Sequence, residues 1–305
     1  MDKYNTKKKK SQEVISYIKK HISESVQSRF NACAYYLAMV GDKDLVKKKL
    51  FKGYFCGNRF CPTCRWREAK KDAVKISVLM KHIQQKHNKT FLFLTLTAPN
   101  VMGDKLEDEV TKYNKAFKEL MRHPKVLPVV KGYIRKLEIL YKAERKDFHP
   151  HFHVLIAVNN SYFTDKTYIK REKWLQMWRQ VMNDYSITQV DIRKFKGDTQ
   201  KEVLEVATYS AKDSDLYFNE TVFDYFYKAL KGRQILTYSG LFAEANKLYK
   251  AKELEHLKDV DPTEYVYFLM YNWGLGEYVE KEKRELTEDE YRQINRQLVD
   301  EVDIE

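Results

Sequence analysis

The segment that most constrains the fold is HPHFHVLI, His149 to Ile156, because its histidines alternate with apolar residues. His151 and His153 are separated by Phe152, and the run stays apolar to Val158. Alternate side chains of a β-strand share a face, so both imidazoles project to one side and Phe152 projects to the other. Two imidazoles about 7 Å apart along a strand can bind one divalent ion. The alternative is two polar residues on the solvated face of a half-buried strand.

A second metal-ligand pattern is the C-x4-C-x2-C array of Cys56, Cys61 and Cys64. A C-x2-C pair with a proline in its turn and another cysteine nearby predicts tetrahedral zinc coordination in a reducing compartment. Cys33 is the remaining cysteine and is the candidate fourth ligand, although its segment, FNACAYYLAMV, has a pattern that indicates a helix. The alternative is a set of small buried residues that hold no ion.

The charge balance favours a polyanionic partner. The 305 residues contain 56 Lys and Arg against 43 Asp and Glu, which gives a formal charge of +13. Nucleic acid is the simplest such partner, although a basic protein without one would have the same composition. Aromatic residues make up 14% of the chain, which suits stacking on unpaired bases and ordinary cores equally.

No segment predicts a membrane span or a secretion signal. The longest strongly apolar stretch, residues 90–103, contains Pro99 and is too short for a membrane helix. The basic amino-terminal segment has no apolar core of the kind that secretion requires. We therefore expect a cytoplasmic protein with reduced thiols and no membrane partner.

The middle of the chain shows a regular alternation of strand and helix patterns. The predicted order is a strand over 91–97, a helix over 106–121, strands over 129–141 and 151–158, a helix over 171–182, a strand over 187–195 and a helix from about 200 to 214. This order predicts an α+β fold with a ferredoxin-like (split βαβ) antiparallel sheet, backed by helices, over residues 86–220. Residues 1–85 predict a basic helical region with the cysteines, and residues 221–305 predict a helical C-terminal region.

The hairpin between the two central strands suggests a third metal ligand. If residues 129–141 pair antiparallel with residues 151–158, Glu138 lies roughly across from His151 or His153, on the same face. Two imidazoles and a carboxylate would suit Mn²⁺ or Mg²⁺ and leave positions open for a phosphate oxygen. The alternative is that Glu138 is an ordinary cross-strand partner of a Lys or Arg.

The segment KEVLEVATYSAKDSD carries a second set of reactive groups. On a helical wheel, Glu205 and Lys212 fall within about 60° of Tyr209, whereas apolar residues such as Leu204 and Ala207 cluster on the opposite side. A phenol, a carboxylate and an ammonium on one face could serve as nucleophile, base and phosphate partner. The alternative is a solvated helix face with a Glu–Lys pair.

Together these segments resemble a known family. FLFLTLT, HPHFHVLIAV and EVATYSAKDSD, in this order and spacing, look like the three motifs of plasmid rolling-circle replication initiators in the HUH endonuclease superfamily, where U is an apolar residue, here Phe152. The resemblance includes the cysteine array and YSGLF at Tyr238–Phe242, and so covers most of the chain. It is strongest to initiators with one nucleophilic tyrosine and a glutamate four residues before it, here Tyr209 and Glu205.

The resemblance implies a mechanism and a set of partners. A metal held by His151 and His153 would act on the scissile phosphate of single-stranded plasmid origin DNA, and Tyr209 would attack it. The products would be a 5′-phosphotyrosine and a 3′-OH primer, with Lys212 offsetting charge and Glu205 activating water for a final hydrolytic cut. Origin duplex, host helicase and host polymerase are the implied partners, and the oligomeric state stays open.

Other functions remain to be compared with this one. An amidohydrolase needs two further metal-binding histidines, but only His256 follows His153. A cupin-type oxygenase needs a glutamate shortly after the pair, and residues 154–158 contain no carboxylate. The open alternatives are an HUH relaxase or transposase, or a non-catalytic zinc-containing DNA-binding protein. Divalent-dependent cleavage of single-stranded DNA would separate the latter, whereas salt-sensitive binding would not.

Overall fold

The computed structural model describes residues 1–195, 203, 206–207, 212–295 and 298–302. Contacts divide the chain into two compact units, Met1–Lys71 with Lys258–Asp303 (unit one) and Asp72–Leu257 (unit two). These groupings differ from the linear boundaries predicted near residues 85 and 220, because residues from the two ends of the chain pack together. Within the described residues, no helix combines the length and apolar character that crossing a membrane requires.

The described residues form two sheets and their flanking helices. The strands are β1 (Tyr36–Gly41), β2 (Lys48–Gly53), β3 (Lys89–Thr97), β4 (Gly132–Lys142), β5 (Asp147–Asn159), β6 (Val190–Lys194), β7 (Leu236–Gly240), β8 (Tyr267–Gly274) and β9 (Glu277–Glu285). The α-helices are α1 (Asp2–Ile18), α2 (Glu24–Asn31), α3 (Pro62–His87), α4 (Leu106–Arg122), α5 (Arg171–Met182), α6 (Asp213–Leu216), α7 (Glu220–Leu230), α8 (Leu241–Lys250) and α9 (Glu288–Ile294).

The sheet of unit two has the strand order β6-β3-β5-β4-β7, and every neighbouring pair is antiparallel. The first four strands have the order of a split βαβ arrangement, with α4 and α5 as its two crossover helices. The predicted α+β class is therefore confirmed. β7 extends this sheet at the β4 edge.

Phe152 shows how the alternating pattern of β5 orients the sheet. Its ring is fully buried between Tyr113 and Phe117 of α4, with both centroid separations at 5.4 Å. Burying one such ring contributes about 1.5–3 kcal/mol. Because α4 covers the face with Phe152, the alternate positions His151 and His153 project from the opposite face.

The segment Tyr238–Phe242 forms the end of β7 and the start of α8. Gly240 has φ +52° and lies opposite Gly132 in the β4–β7 register. A Cβ at Gly240 would collide with the carbonyl oxygen of Lys131. Glycine is required here because the backbone conformation is left-handed and the neighbouring strand approaches closely.

Unit one contains a sheet of order β2-β1-β8-β9, also antiparallel throughout. The predicted helix over FNACAYYLAMV is wrong: α2 ends at Asn31, and β1 begins at Tyr36. Ala34 between them has φ +52°, and its carbonyl accepts a hydrogen bond from the Tyr278 hydroxyl. The left-handed residue ends the helix, and the following Tyr-Leu-Ala-Met-Val run pairs with strands on both sides.

The prediction of a purely helical region from residue 221 onward is also wrong. This C-terminal region contains α7, α8 and α9, but β8 and β9 form a hairpin within the same region. The sequence of β9, EYVEKEKRE, is dominated by charged residues, and most of its side chains are exposed. The strand lies at the edge of its sheet, where long charged side chains are favoured and hide the apolar alternation.

Candidate functional site

The candidate active site begins with the pairing of β4 and β5. Glu138 lies opposite His151, and Lys136 lies opposite His153. Glu138 Oε2 is 3.1 Å from Nε2 of His151 and 2.8 Å from Nε2 of His153, and the two Nε2 atoms are 3.1 Å apart. The hairpin thus brings the three predicted metal ligands together on one face, as parity indicated.

The spacing of these three atoms fits a single divalent ion. An octahedral ion with donors at 2.0–2.1 Å places neighbouring donor atoms about 3 Å apart. The three donor atoms can therefore occupy adjacent positions and leave others open. Both histidines are only 6% exposed, so the donor set is shielded from bulk water. A role as metal ligands stays a prediction that this geometry supports.

Burial and neighbouring groups shift the pKa values of Glu138 and His153. Burial alone would raise the pKa of Glu138, but hydrogen bonds with His151 and His153 and the Lys136 ammonium, 3.8 Å away, hold it well below its usual range. Burial lowers the pKa of His153 because desolvation disfavours the imidazolium. An ionised carboxylate with a neutral imidazole is the protonation state in which these groups bind cations.

Neighbouring atoms orient the two imidazoles. Nδ1 of His151 is 3.3 Å from the carbonyl oxygen of His149, and Nδ1 of His153 is 3.4 Å from Oγ1 of Thr95. With an ion bound, a proton on Nδ1 would leave Nε2 of each ring as a lone-pair donor to the ion, in place of its hydrogen bond with Glu138. Thr95 lies on β3 directly opposite His153 in the register, so three strands contribute to the site.

Lys136 is a site residue that the sequence patterns did not identify. It is 1% exposed, and an ion pair places its ammonium beside Glu138. The sequence does contain one indication of this role. Lys136 precedes Glu138 by two residues on the same strand, so the two side chains share a face. A lysine in a strand is so common at solvated positions that parity alone would not have selected it.

The four cysteines converge in unit one. The Sγ atoms of Cys33 and Cys64 are 3.5 Å apart, those of Cys56 and Cys64 are 3.6 Å apart, and those of Cys61 and Cys33 are 3.6 Å apart. Tetrahedral zinc with Zn–S distances of about 2.3 Å requires sulfur atoms about 3.8 Å apart. The donor set therefore fits a closed structural zinc site, and Cys33 lies within it although its local structure was predicted differently.

Lys8 is buried beside this cysteine cluster. Its Nζ donates hydrogen bonds to the carbonyl oxygens of Cys33, at 2.6 Å, and Asn31, at 3.0 Å, and the side chain is 2% exposed. Burial lowers the pKa of Lys8, whereas the nearby cysteines favour the charged form. Four thiolates around a divalent ion leave two net negative charges, which an adjacent ammonium partly offsets. No sequence pattern indicates this role, because Lys8 stands within KKKK.

The predicted nucleophile and base, Tyr209 and Glu205, lie outside the described residues. Val203 and Ala207 are helical and buried, in agreement with the predicted core-facing side of this segment, whereas Val206, also helical and buried, was not assigned to that side. The wheel that groups Tyr209 with Glu205 stays a prediction.

Lys212 is exposed, and its backbone is extended, with φ −65° and ψ 150°, at the N-cap position of α6. The prediction of one continuous helix to Ser214 is therefore wrong. The sequence DSD after Lys212 favours a new helix start, because acidic residues stabilise the first turn. Lys212 therefore does not continue the helical face that was expected to carry Tyr209.

The two ends of the tyrosine segment are fixed to strands on either side of β5. The backbone N–H of Phe195 donates to the carbonyl of Phe91 on β3. At the other end, the Asp215 carboxylate accepts a hydrogen bond from the N–H of Tyr141 on β4, at 3.1 Å. The next tyrosine, Tyr217, is buried, which makes it a poor second nucleophile.

Comparisons with known proteins agree with one another. The model of the Rep_1 family, described as replication protein, matches residues 47–279. A "Protein rep" of Staphylococcus aureus is 50% identical over 222 residues, covering 72% of this chain and 97% of that protein. Proteins of the same name from Bacillus sp and Bacillus amyloliquefaciens are 34% and 33% identical, covering 71% and 72% of this chain and 78% and 71% of their own lengths. No solved structure matches.

Proposed function

The chain belongs to the Rep_1 replication protein family, and from this premise we propose that it initiates rolling-circle plasmid replication by nicking single-stranded origin DNA. The observation that carries the proposal is the cluster of Glu138, His151 and His153, whose donor atoms lie 2.8–3.1 Å apart. These residues would hold Mn²⁺ or Mg²⁺. Such an ion, when bound, polarises a phosphate and stabilises the charge that develops on it.

Tyr209 is the proposed nucleophile. Its phenolic oxygen forms a bond to the scissile phosphorus, the bond from phosphorus to the 3′ oxygen breaks, and the 3′ oxygen takes up a proton while the phenol loses one. The products are a 5′-phosphotyrosine and a 3′-OH that primes a polymerase. One phosphodiester replaces another, so the step needs no ATP. A free phenol has a pKa near 10 and requires a positive environment to react at neutral pH.

The length of the chain allows Tyr209 to reach the cluster of Glu138, His151 and His153. Tyr209 lies six residues before Asp215, and a chain of that length spans at most about 20 Å. Asp215 contacts the backbone of Tyr141, which is three residues, or about 10 Å, along β4 from Glu138. The tether is therefore long enough for the phenol to reach a phosphate held beside Glu138.

Glu205 and Lys212 have supporting roles in the proposal. Glu205 accepts a proton from the water that hydrolyses the final phosphodiester, which ends replication without a second tyrosine. Lys212 is exposed at the start of α6, where its ammonium offsets charge on the phosphate or the leaving oxygen. The host helicase and polymerase that extend the 3′-OH are the proposed protein partners, and the host cytoplasm is the proposed location.

Covalent capture tests this function directly. The full chain is incubated with a library of single-stranded oligonucleotides and Mn²⁺, and denaturing electrophoresis reveals protein–DNA adducts. We expect an adduct with the wild-type chain and with Tyr185→Phe, a matched control at a tyrosine that is 72% exposed. Tyr209→Phe should form none. An adduct at normal yield in Tyr209→Phe would remove this assignment.

A further inference from the structure

Unit one contains a groove of about 1020 Å³ between β2 and the start of α3. Six of its seven cationic side chains come from these two elements: Lys48, Lys49 and Lys52 from β2, and Arg67, Lys70 and Lys71 from α3; the seventh is Lys3 of α1. The ordinary explanation for the β2 lysines is protection of an edge strand from pairing with another chain. That explanation does not apply to the cations of α3.

Glu301, near the end of the sequence, occupies the α3 side of this groove. One of its carboxylate oxygens, Oε1, is 2.9 Å from Nη2 of Arg67 and 3.8 Å from Nζ of Lys71. The other, Oε2, is 3.6 Å from Nζ of Lys70. Three cations from two turns of one helix thus surround a single carboxylate. One negative charge is less than this arrangement can neutralise.

The cations of α3 are held in place by aromatic rings. The guanidinium of Arg67 lies 3.6 Å from the ring centroid of Phe55, and Nζ of Lys70 lies 4.8 Å from that of Trp66. Among the described residues, Arg67 Nε is buried and has no hydrogen-bond partner, although Nη2 is paired with Glu301. A guanidinium binds phosphate through two parallel N–H groups, and here the contact with Glu301 uses only one.

In the described part of the chain, the segment that carries Glu301 is held by one β-bridge, one backbone hydrogen bond and side-chain ion pairs. Leu298 forms an isolated bridge with Val260, and the N–H of Val299 donates to the carbonyl of Asp259. Asp300 pairs with Lys258 at 2.6 Å, and the Asp300 side chain is mostly exposed. Short attachments of this kind open at low free-energy cost. A competing anion could therefore displace the segment without unfolding the sheet.

We propose that this groove binds backbone phosphates of duplex DNA and that Glu301 holds one phosphate position until DNA displaces it. The choice of DNA rests on the proposed function. Backbone contact is favoured over base stacking, because Trp66 is buried and the Phe55 ring is covered by Arg67. Seven cations and four carboxylates line the groove, and two of the carboxylates, Asp300 and Glu301, leave with the displaced segment. Over these side chains, displacement raises the formal charge of the groove from +3 to +5.

Fluorescence anisotropy with a labelled duplex of random sequence tests the proposal. The full chain is titrated at several KCl concentrations without added Mn²⁺ or Mg²⁺, so that no cleavage contributes. Glu301→Gln should bind about fivefold more tightly than Glu277→Gln, a control that removes the same charge from an exposed position on β9. The slope of log Kd against log salt should steepen by about one for each additional phosphate that the protein neutralises.

A second pair of variants identifies the groove. Lys71 is half exposed, so Lys71→Gln keeps the fold, and it should weaken duplex binding and lower the salt slope. Combining Arg67→Gln with Glu301→Gln should abolish the tighter binding of Glu301→Gln alone. The proposal fails if Glu301→Gln and Glu277→Gln give equal Kd values, or if the tighter binding survives the loss of Arg67. Failure of the nuclease function would instead appear as a missing Tyr209 adduct, which leaves these binding measurements unaffected.

Discussion

Glu138 and His151 lie directly opposite each other on neighbouring antiparallel strands, with carboxylate Oε2 3.1 Å from imidazole Nε2. The same oxygen is 2.8 Å from Nε2 of His153. A single carboxylate oxygen therefore contacts two imidazoles from a strand whose opposite face is packed against α4. The affinity of any cation bound at this oxygen would therefore depend on each charge around it.

Glu138→Gln should weaken Mn²⁺ binding by at least about 10- to 100-fold, since that is the usual cost of losing even a residue that only orients a ligand. The amide keeps the size of the side chain but removes the charge that attracts the cation. Calorimetric titration of the full chain with Mn²⁺ measures the effect. Glu144→Gln, an exposed glutamate in the β4–β5 turn, is the matched control. Equal affinities for the two variants would show that Glu138 is not a ligand.

Lys136→Met should have the opposite effect on the same measurement. The buried ammonium lies 3.8 Å from Glu138 Oε2 and repels any cation bound there. Unit charges at this distance interact by about 4 kcal/mol at an effective dielectric constant of 20, and relaxation reduces this value, so we expect Mn²⁺ to bind on the order of tenfold more tightly. Weaker binding in Lys136→Met would mean that Lys136 supports the site in another way.

The cysteine cluster should contain one tightly bound zinc ion. Metal analysis of the purified chain should find it, and Cys33→Ser and Cys61→Ser should each lose it. The free energy of unfolding should fall by several kcal/mol in both variants, because zinc binding contributes directly to folding. Zinc-edge X-ray absorption should report four sulfur neighbours. Three sulfur neighbours in both the wild-type chain and Cys33→Ser would exclude Cys33 as a ligand.

Glu205→Gln should separate the first cleavage from the last. Attack by Tyr209 does not need the Glu205 carboxylate, so adduct formation should proceed at close to the wild-type rate. Hydrolytic release should slow by about 10²- to 10⁴-fold, which is the usual contribution of a general base. A time course on denaturing gels follows both products, with Glu244→Gln, at an exposed position on α8, as the control. Loss of the first cleavage would assign Glu205 a different role.

The pair Arg284–Glu290 predicts an acid-dependent loss of stability in unit one. Hydrogen bonds from Arg284, and from the backbone N–H of Thr287, lower the pKa of Glu290 to about 2 from its ordinary value of 4.5. A depressed carboxyl pKa stabilises the fold above pH 4.5, and this stabilisation is lost as the pH falls from 4.5 toward 2.

Glu290→Gln should therefore lower the thermal midpoint at neutral pH by about 1–3 °C, a small effect because the pair is partly solvated. The difference from wild type should shrink below about pH 4. Scanning calorimetry across pH checks both, and Glu288→Gln, a more exposed residue in the same turn, is the control. A difference that stays constant down to about pH 2 would exclude an ionic origin.

The elements around Glu138, His151 and His153 could be predicted because their buried residues recur along the sequence with the simple period of a helix or a strand. The bounds Arg171–Met182 of α5 agree with the prediction, since Trp174, Trp178 and Met182 recur at helical spacing and are all buried. The face of Glu138 followed from strand parity and a short turn alone. Both are local properties, and local properties are visible in a sequence.

The elements that were missed depend on distant partners. β1 pairs with β8, which lies more than two hundred residues away in the sequence, and no local pattern indicates that pairing. The burial of Lys8 likewise depends on the carbonyl groups of Cys33 and Asn31, which only the folded chain brings to it. The break at Lys212 reflects competition between continuing one helix and starting another, which a helical wheel does not evaluate.

The attachments of Phe195 to β3 and of Asp215 to β4 have a consequence for how long cleaved DNA would stay near Glu138, His151 and His153 in the proposed reaction. β3 and β4 flank β5 and lie about 10 Å apart, so Phe195 and Asp215 fix the chain on both sides of the tyrosine segment. On the proposed mechanism, a DNA end joined to Tyr209 would be tethered between these two points, and its local concentration at the predicted metal ligands would stay in the millimolar range or higher. The rate at which that end is rejoined or released would then be set by the chemical step rather than by diffusion.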